Sequence, residues 1–522
     1  WNLDTPDPFP NYELNLRLSS KGETALRAGA AKVDITPDLP ESWTDRDGDA
    51  KYSAEAGDTF GDADGDGEFD AVWIAGFDVG RPAASVHDKL WARACVVESG
   101  DVRVGFVSVD LVGLFHTSVL RVREMLSKER DSGRALVDYL VVASTHNHEG
   151  PDTMGLWGPD EWTSGVDRDY VQRVEEAIAQ AIRESVRSLE PAKLQIRSGH
   201  YGDGVVVHDY KRRPFVIDDT LGVLHFERRS GESIATVVHW SCHPETLGDE
   251  NLAISSDFPH WLREGVERGV PKRSNGSPAR AGRGGICLFL NGAIGGMITS
   301  LAMDLPDFES GAVISKSTKS GPGLPWSRPR SVGVHVAAEV LRRLDSAGPS
   351  FERLPVRVRA RTFHVSIANP IFRIAGKLGR LDRGTFNGHL RSEVAIIDLG
   401  PVRLATIPGE LYPEVVLGRV ENPAGADFRV PAPESGLRDR LRSGEIENVW
   451  FIGLANDELG YFIPKGEWDA PSGLPWDEDG EPPYLYGAKQ PPYGEINSCG
   501  PEAENEFREA LLSLVEESGH DD

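Results

Sequence analysis

The sequence predicts an α/β protein: one large domain on a mixed sheet, with helices on its faces and long functional loops. Three observations point there. Val102–Val112, Val137–Ser144 and Ile286–Leu290 are nearly continuous apolar runs of strand length, as buried central strands are. Amphipathic stretches alternate with them, most clearly over 168–188, where Val171, Val174, Ala177, Ile178 and Ile182 mark one helical face. Finally, the 522 residues show no internal repeat and no clear inter-domain linker. The division that follows is an amino-terminal arm over 1–27 and a single domain over 28–522, with an acidic insertion at 40–70.

Composition narrows the function classes. Hydrophobic content of 39% with 26% charge is that of a soluble globular chain. No stretch approaches the roughly 20 apolar residues that cross a bilayer. The formal charge of −26, from 56 basic and 82 acidic residues, argues against a nucleic-acid partner, whose footprint is a basic patch. A small-molecule or lipid-like substrate is the expected partner; nothing in the sequence speaks to oligomeric state. The chain starts at Trp1, which leads us to expect a removed signal peptide and a secreted or periplasmic protein. The four cysteines lack CxxC spacing, and Cys95, Cys242 and Cys287 lie in apolar runs, which predicts buried free thiols.

In chain order, residues 1–25 are polar and aperiodic. Ala31–Pro37 alternates as a short strand. Leu90–Ser99 and Val102–Val112 read as a strand pair about the Gly100-Asp101 turn. A helix over 117–129 followed by the strand Val137–Ser144 implies a parallel pair. Strands are expected at 193–198, 221–228 and 233–241, and Asp257 can cap a helix running to about 268. The 271–284 segment is rich in Gly, Arg and Ser. After the strand at 286–290 comes a loop over 303–330, then a helix at 332–345. β segments follow at 355–366, 393–399, 402–407 and 449–454. A helix starts near Pro413, 464–495 is loop, and 503–517 is the closing helix.

The stretch that organises the rest is Ser144-Thr145-His146-Asn147-His148-Glu149-Gly150-Pro151. Side chains alternate along a strand, so His146 and His148 share a face where the strand runs out. Catalytic zinc usually takes three protein ligands and keeps one position open. Three further candidates stand at strand ends: His243, Glu410 and Tyr461. Strand ends are where sites of α/β folds gather. His239, inside its strand, reads as structural. The HExxH helix and the HxHxDH pattern are both absent. A TIM-barrel amidohydrolase would carry its HxH near the chain start.

Ala28-Gly29-Ala30-Ala31-Lys32-Val33-Asp34-Ile35-Thr36-Pro37, Val107-Ser108-Val109-Asp110-Leu111 and the HxHxGP stretch, in that order, resemble the amino-terminal catalytic domain of neutral/alkaline (non-lysosomal) ceramidases. Segments 235–257, 404–410 and 452–461 follow in the same order, so the resemblance spans about 28–515. It implies one zinc ion hydrolysing an N-acyl amide, held by His146, His148, His243, Glu410 and Tyr461. A proton carrier is needed as well; Glu149, Asp257 and a nearby histidine, His208 or His260, are the candidates. Asp110 is expected either to hold a ligand histidine by its second ring nitrogen or to cap a neighbouring loop.

The sequence also departs from that family. Gly296, in Asn291-Gly292-Ala293-Ile294-Gly295-Gly296, stands where the family has a serine. We therefore expect a metal-activated water as the attacking group, with amides of Gly295 and Gly296 available to an oxyanion. The family's carboxy-terminal β-sandwich is expected to be missing. Trp157 and Trp162, with Trp240 and Trp326, are expected to line a cleft. Asp62, Asp64, Asp66 and Asp70 match the first half of a calcium loop, although Trp73 replaces the closing glutamate; bound Ca2+ is the expectation for that insertion. The leading function is a zinc-dependent amidohydrolase whose substrate need not be ceramide. The alternatives are an esterase or carbohydrate-active hydrolase on the same scaffold, and a non-catalytic binding protein stabilised by its metal.

Overall fold

A computed structural model describes residues 4–209, 214–320, 323–431, 435–470, 484–489 and 492–516. The acidic stretch 473–481 lies outside the described residues. In chain order the main elements are β1 (Asn15–Ser19), β2 (Thr24–Asp34), β3 (Trp91–Ser99), β4 (Val102–Val109), α1 (His116–Ser127), β5 (Tyr139–Ser144), α2 (Arg168–Arg187), β6 (Glu190–His200), β7 (Thr220–Arg228), β8 (Ser233–Trp240), α3 (Phe258–Arg268), β9 (Ile286–Asn291), α4 (Ser327–Asp345), β10 (Val356–Ser366), α5 (Pro370–Lys377), β11 (His389–Leu399), β12 (Val402–Thr406), β13 (Asn448–Ile452) and α6 (Ala503–Glu516).

The mixed sheet and its covering helices are present, and a second sheet is packed against them. The larger sheet has ten strands, with the path β5-β4-β3-β2-β6-β7-β8-β9. The smaller has five, in the order β1-β10-β11-β12-β13. Their inner faces share one apolar core, in which Val97, Phe106, Val141, Leu224 and Val237 of the first meet Val358, Ile397, Leu404 and Ile452 of the second. The arm expected over 1–27 is a correction: Asn15–Ser19 pairs antiparallel with β10 as an edge strand, and β2 already begins at Thr24. Alternation in Leu14, Leu16 and Leu18 carries that edge; all three pack on the shared core.

Helices cover the outer faces. α1 and α2 lie over β2–β5, with Val122, Val174, Ile178 and Ile182 against Val96, Val107 and Val142. α3 and α4 cover β8 and β9 through Phe258, Leu262, Val266, Val336 and Val340. On the smaller sheet, α6 packs Phe507 and Leu511. Parallel pairing occurs at both ends of the larger sheet, β5 with β4 and β8 with β9. The sheet curls until these ends meet. Ser108 donates to the Phe289 carbonyl at 2.5 Å, and Asn291 Nδ2 donates to the Thr145 carbonyl at 3.0 Å. That meeting brings the loops after β5 and after β8 to one place.

The 40–70 insertion is not structureless. Ser42–Thr44 pairs with Thr59–Gly61, and Tyr52, Phe60 and Phe69 form a small aromatic cluster beneath the acids. All four cysteines are buried and free; the apolar settings of Cys95, Cys242 and Cys287 predicted this for those three. Among the described residues no helix is long and apolar enough to cross a membrane.

Candidate active site

The loop after β5 turns sharply at His146, whose φ of 65° is in the left-handed region. This turn, in place of a continued strand, aims His146 and His148 at one another. Their ring centroids lie 4.8 Å apart, and His243, three residues past β8, lies 5.0 Å and 5.7 Å from them. Ring nitrogens of the three can be chosen within 4.8 Å of one another, and all three side chains are buried. Glu410 and Tyr461 arrive from the smaller sheet, on the short parallel pair Glu410–Leu411 and Tyr461–Phe462. Glu410 Oε1 is 3.4 Å from His146 Nε2, and its Oε2 is 3.0 Å from His243 Nε2. The Tyr461 hydroxyl is 3.5 Å from the Met297 sulfur.

The backbone fixes which nitrogens face inward. His146 Nδ1 is 2.7 Å from the Val112 carbonyl, and His243 Nδ1 is 2.8 Å from that of Ile298. A carbonyl only accepts, so each Nδ1 carries the proton and each Nε2 points at Glu410. His148 differs: neither of its nitrogens has a hydrogen-bond partner among the described residues. Its ring is wedged against Gly76, where a Cβ would sit 2.4 Å from His148 Cγ; Gly76 has a φ of 103°, so both space and backbone require glycine.

The charges follow this layout. Burial lowers His148, and the two neighbouring imidazoles lower it further, so it is held neutral, well below the ordinary histidine value. Burial opposes charge on His146, but Glu410 outweighs it and holds His146 above its ordinary value. Glu410 is pushed up by burial and pulled further down by His146 and His243, ending well below the carboxylate range. Burial and the Glu410 charge push the Tyr461 phenol well up.

One residue that the sequence reading passed over stands beside these. Glu245 is 1% exposed, neither carboxylate oxygen has a hydrogen-bond partner, and Oε2 lies 3.5 Å from His148 Nδ1. Its signal was available: it follows His243 by two positions, a charged residue in an otherwise apolar and polar run. Glu458, three residues before Tyr461, is also buried, with Oε2 lacking a partner. Burial and then the Glu410 charge hold it well above the carboxylate range.

The proton-carrier candidates sit elsewhere. Glu149 is completely buried, and its Oε2 takes Asn251 Nδ2 at 2.6 Å and Arg81 Nη2 at 3.4 Å. Asp257 caps α3 through the Phe258 amide and accepts from the Thr246 amide at 2.8 Å and from the Thr246 hydroxyl. Burial pushes it up to about 7. His260 faces Asp88 at 3.5 Å rather than the imidazoles, and His208 Nε2 meets the Leu301 carbonyl. Asp110 corrects the expectation that it holds a ligand histidine. It pairs with Arg263 at 2.7 and 2.9 Å and accepts from the Trp91 amide, and it is the Val112 carbonyl that meets His146.

The remaining expected site residues divide. The Gly295 amide is committed to the Leu411 carbonyl at 3.0 Å and is not open to an oxyanion; Gly296 turns the chain with a φ of 80°. Trp157 donates to the Phe77 carbonyl beside the site, whereas Trp162 is 77% exposed. Trp240 is core and Trp326 stacks on His87. In the insertion, oxygens of Asp64, Asp66 and Asp70 gather, as do those of Glu41, Asp62 and Asp64. Asp62 and Glu41 are already used in holding loop amides.

Residues 59–273 match the family model described as neutral/alkaline non-lysosomal ceramidase, N-terminal. Neutral ceramidase B of Dictyostelium discoideum is 25% identical over 221 residues, which cover 38% of this chain and 29% of that protein. Neutral ceramidase A of the same organism is 23% identical over 221 residues, covering 39% and 30%. The matched stretch is thus less than a third of either relative. The crystal structure of neutral ceramidase from Pseudomonas aeruginosa superposes with a TM-score of 0.62 at 16% identity, covering 94% of this chain and 74% of that one. A structure of ceramidase complexed with C2 gives 0.63 at 15%, covering 95% and 76%. The chain is therefore ceramidase-like: similar in sequence to the amino-terminal domain of the neutral/alkaline non-lysosomal ceramidases over residues 59–273, and built on their fold over nearly its whole length.

Proposed function

We propose that the protein is a zinc-dependent hydrolase of N-acyl amides, with His146, His148, His243, Glu410 and Tyr461 holding the ion. One observation carries the reading: three buried imidazoles stand together, two of them on the buried Glu410 carboxylate, and the third, His148, has both nitrogens without a hydrogen-bond partner among the described residues. Buried polar groups are normally hydrogen-bonded, and each exception needs an explanation. A cation answers it here. Without one, Glu410 is offset only by a proton on its imidazole neighbours; a divalent ion would take that proton's place. The donor set of nitrogen and oxygen suits zinc. When bound, zinc polarises an acyl carbonyl and lowers the pKa of a water.

The protein's own groups then have distinct tasks. The Val112 and Ile298 carbonyls hold the Nδ1 protons of His146 and His243, keeping each Nε2 turned inward. Glu245 Oε2 faces His148 Nδ1, and its other oxygen, buried and without a partner, is placed to take a proton from a water and pass it to the leaving amine. With glycine at 296, no serine at that position attacks. Amides are favoured over esters by the family likeness; the lipid class of substrate is likewise the family's.

The test is metal analysis joined to a substrate panel. The protein should bind about one zinc ion per chain, lose hydrolysis of N-acyl amides on chelation, and regain it with zinc. His146→Ala should lose both metal and activity. Activity unchanged by chelation and by His146→Ala would end the metal reading, and cleavage of esters without amides would replace the amidase with an esterase.

A further inference from the structure

Three large aliphatic side chains stand in water on α5. Ile371, Ile374 and Leu378 are 52%, 56% and 61% exposed, and fall at i, i+3 and i+7, one stripe of the helix. A soluble helix normally turns such a stripe inward. Here the stripe faces out, while Gly376 on the opposite side is buried. Lys377 and Arg373 flank the stripe and are exposed. The segment 370–383 contains Arg373, Lys377, Arg380 and Arg383 against a single acid, Asp382, in a chain of net charge −26. Arg383 is spent on Asp457, and Asp382 on Arg121 and Arg168. Arg380 reaches the backbone carbonyls of Glu161 and Thr163, which tethers the 77% exposed Trp162 next to this helix. Of the two acids beside Trp162, Asp160 is folded onto its own turn and Glu161 is exposed, which leaves the helix itself as the basic part of the face.

An apolar stripe edged by Lys and Arg, with an aromatic ring beside it, is the composition of a helix lying in a bilayer interface. Local positive charge on an acidic protein fixes the sign of the surface it meets. We infer that α5, with Trp162, docks the protein on an anionic lipid surface. The face also opens beside the candidate site. Leu381, just past the stripe, packs with Phe115 and Met154 on Val112, whose carbonyl meets His146. Docking by α5 would set the site one packing layer from the membrane. The inference goes beyond the reaction and stands without it.

The experiment is vesicle flotation with the full chain, using phosphatidylcholine vesicles and vesicles with added phosphatidylglycerol, neither containing a cleavable amide. Binding should rise with the anionic lipid and fall with salt. Ile371→Ser/Ile374→Ser/Leu378→Ser should remove it, at about tenfold in partitioning for each side chain taken from the bilayer face. Val313→Ser, another exposed apolar position, should leave binding intact. Circular dichroism checks that the triple variant folds, and hydrolysis of a short soluble N-acyl substrate should be unchanged in it. No flotation with either vesicle, flotation that survives the triple substitution, or equal loss in Val313→Ser would each overturn the inference. So would a concentration-dependent dimer that the triple variant abolishes, since the stripe would then belong to a second copy of the chain.

Discussion

Replacing Glu149 separates a catalytic carboxylate from a structural one. Glu149 and Arg81 are 0% and 1% exposed, 3.4 Å apart, and share Asn251, which donates to Glu149 and accepts from Arg81 at 3.0 Å. Burial pushes Glu149 well above the carboxylate range despite Arg81, and burial lowers Arg81 despite Glu149. Each partner thus offsets part of the other's burial cost, which the survivor bears alone when one is removed. Removing one partner of such a pair costs about 3–5 kcal/mol, because the remaining charge is left buried and uncompensated. Arg81→Met and Glu149→Gln should each fall in that range. If they acted independently, the double variant would lose about 6–10 kcal/mol. It removes both charges, so we expect a loss of no more than about 3 kcal/mol, a coupling of at least about 3 kcal/mol. Urea unfolding of the four proteins measures the cycle. Losses that add to within about 0.5 kcal/mol would refute the pairing. The same variant tests the chemistry: Glu149→Gln should keep its metal and most of its turnover. A loss of about 100-fold or more in turnover with stability intact would return Glu149 to the role of proton carrier.

Glu245→Gln should weaken zinc binding by about 10–100-fold, read by competition with a chelating dye, and lower turnover as well; if neither changed, Glu245 would have no part in the site. His225 is buried beside Thr236 and is lowered to about 4 by burial, despite Glu227. Below its ordinary value of about 6.5 the unfolded chain takes up a proton that the folded one refuses, so stability should fall by about 3 kcal/mol as pH drops from 6.5 to 4 and level off below. His225→Gln should remove that part of the slope in urea midpoints measured across this range. Gly222 lies under Trp450, where an added Cβ would come 2.6 Å from the indole. Gly222→Ala should cost about 1–3 kcal/mol in the same assay, and a neutral result would mean that Trp450 can move.

What the sequence could disclose depended on distance along the chain. The helices at 168–187 and 503–516 and the parallel pair β4–β5 rest on local periodicity, and they stand where it put them. Asp257 as a cap is likewise a local property. The division into two sheets is not local. β1 pairs with β10 across more than 340 positions (Asn15 opposite Arg361), and no pattern in residues 1–25 announces that partner. Polar character at an edge strand's outer face made it look like a free arm. The same limit governed the site. His146, His148 and His243 could be named because strand-end position is readable, but which neighbour holds each ring is set by folding. Asp110 looked suited to hold a histidine and instead meets Arg263, 153 positions away. Glu245 was legible as a charged residue two positions past His243, but its burial without a hydrogen-bond partner, which gives it meaning, is a fact about three dimensions.

The two sheets also explain why the candidate ligands are so scattered. The larger sheet supplies three imidazoles from the loops after β5 and β8, and the short parallel pair that follows β12 and β13 of the smaller supplies Glu410 and Tyr461. Several direct bonds tie these edges, among them the Ser144 amide to the Leu454 carbonyl at 3.1 Å, the Asn456 amide to the Val142 carbonyl at 2.7 Å and the Gly453 amide to the Asn291 carbonyl at 3.0 Å. The Asn456 side chain adds to them, accepting the Val142 amide at 2.8 Å and donating to Glu393 at 2.7 Å. Glu410 is a further tie, through His146 and His243. A carboxylate from one sheet facing imidazoles from the other is a weak clasp while it depends on a shared proton, since that proton leaves as pH rises. A divalent cation held by both sides would make the clasp independent of the proton. The cation that would polarise an acyl group would thus also add to the core and the hydrogen bonds that already join the two sheets. The spread of ligands over more than 300 positions, from His146 to Tyr461, is then what a site at a seam requires.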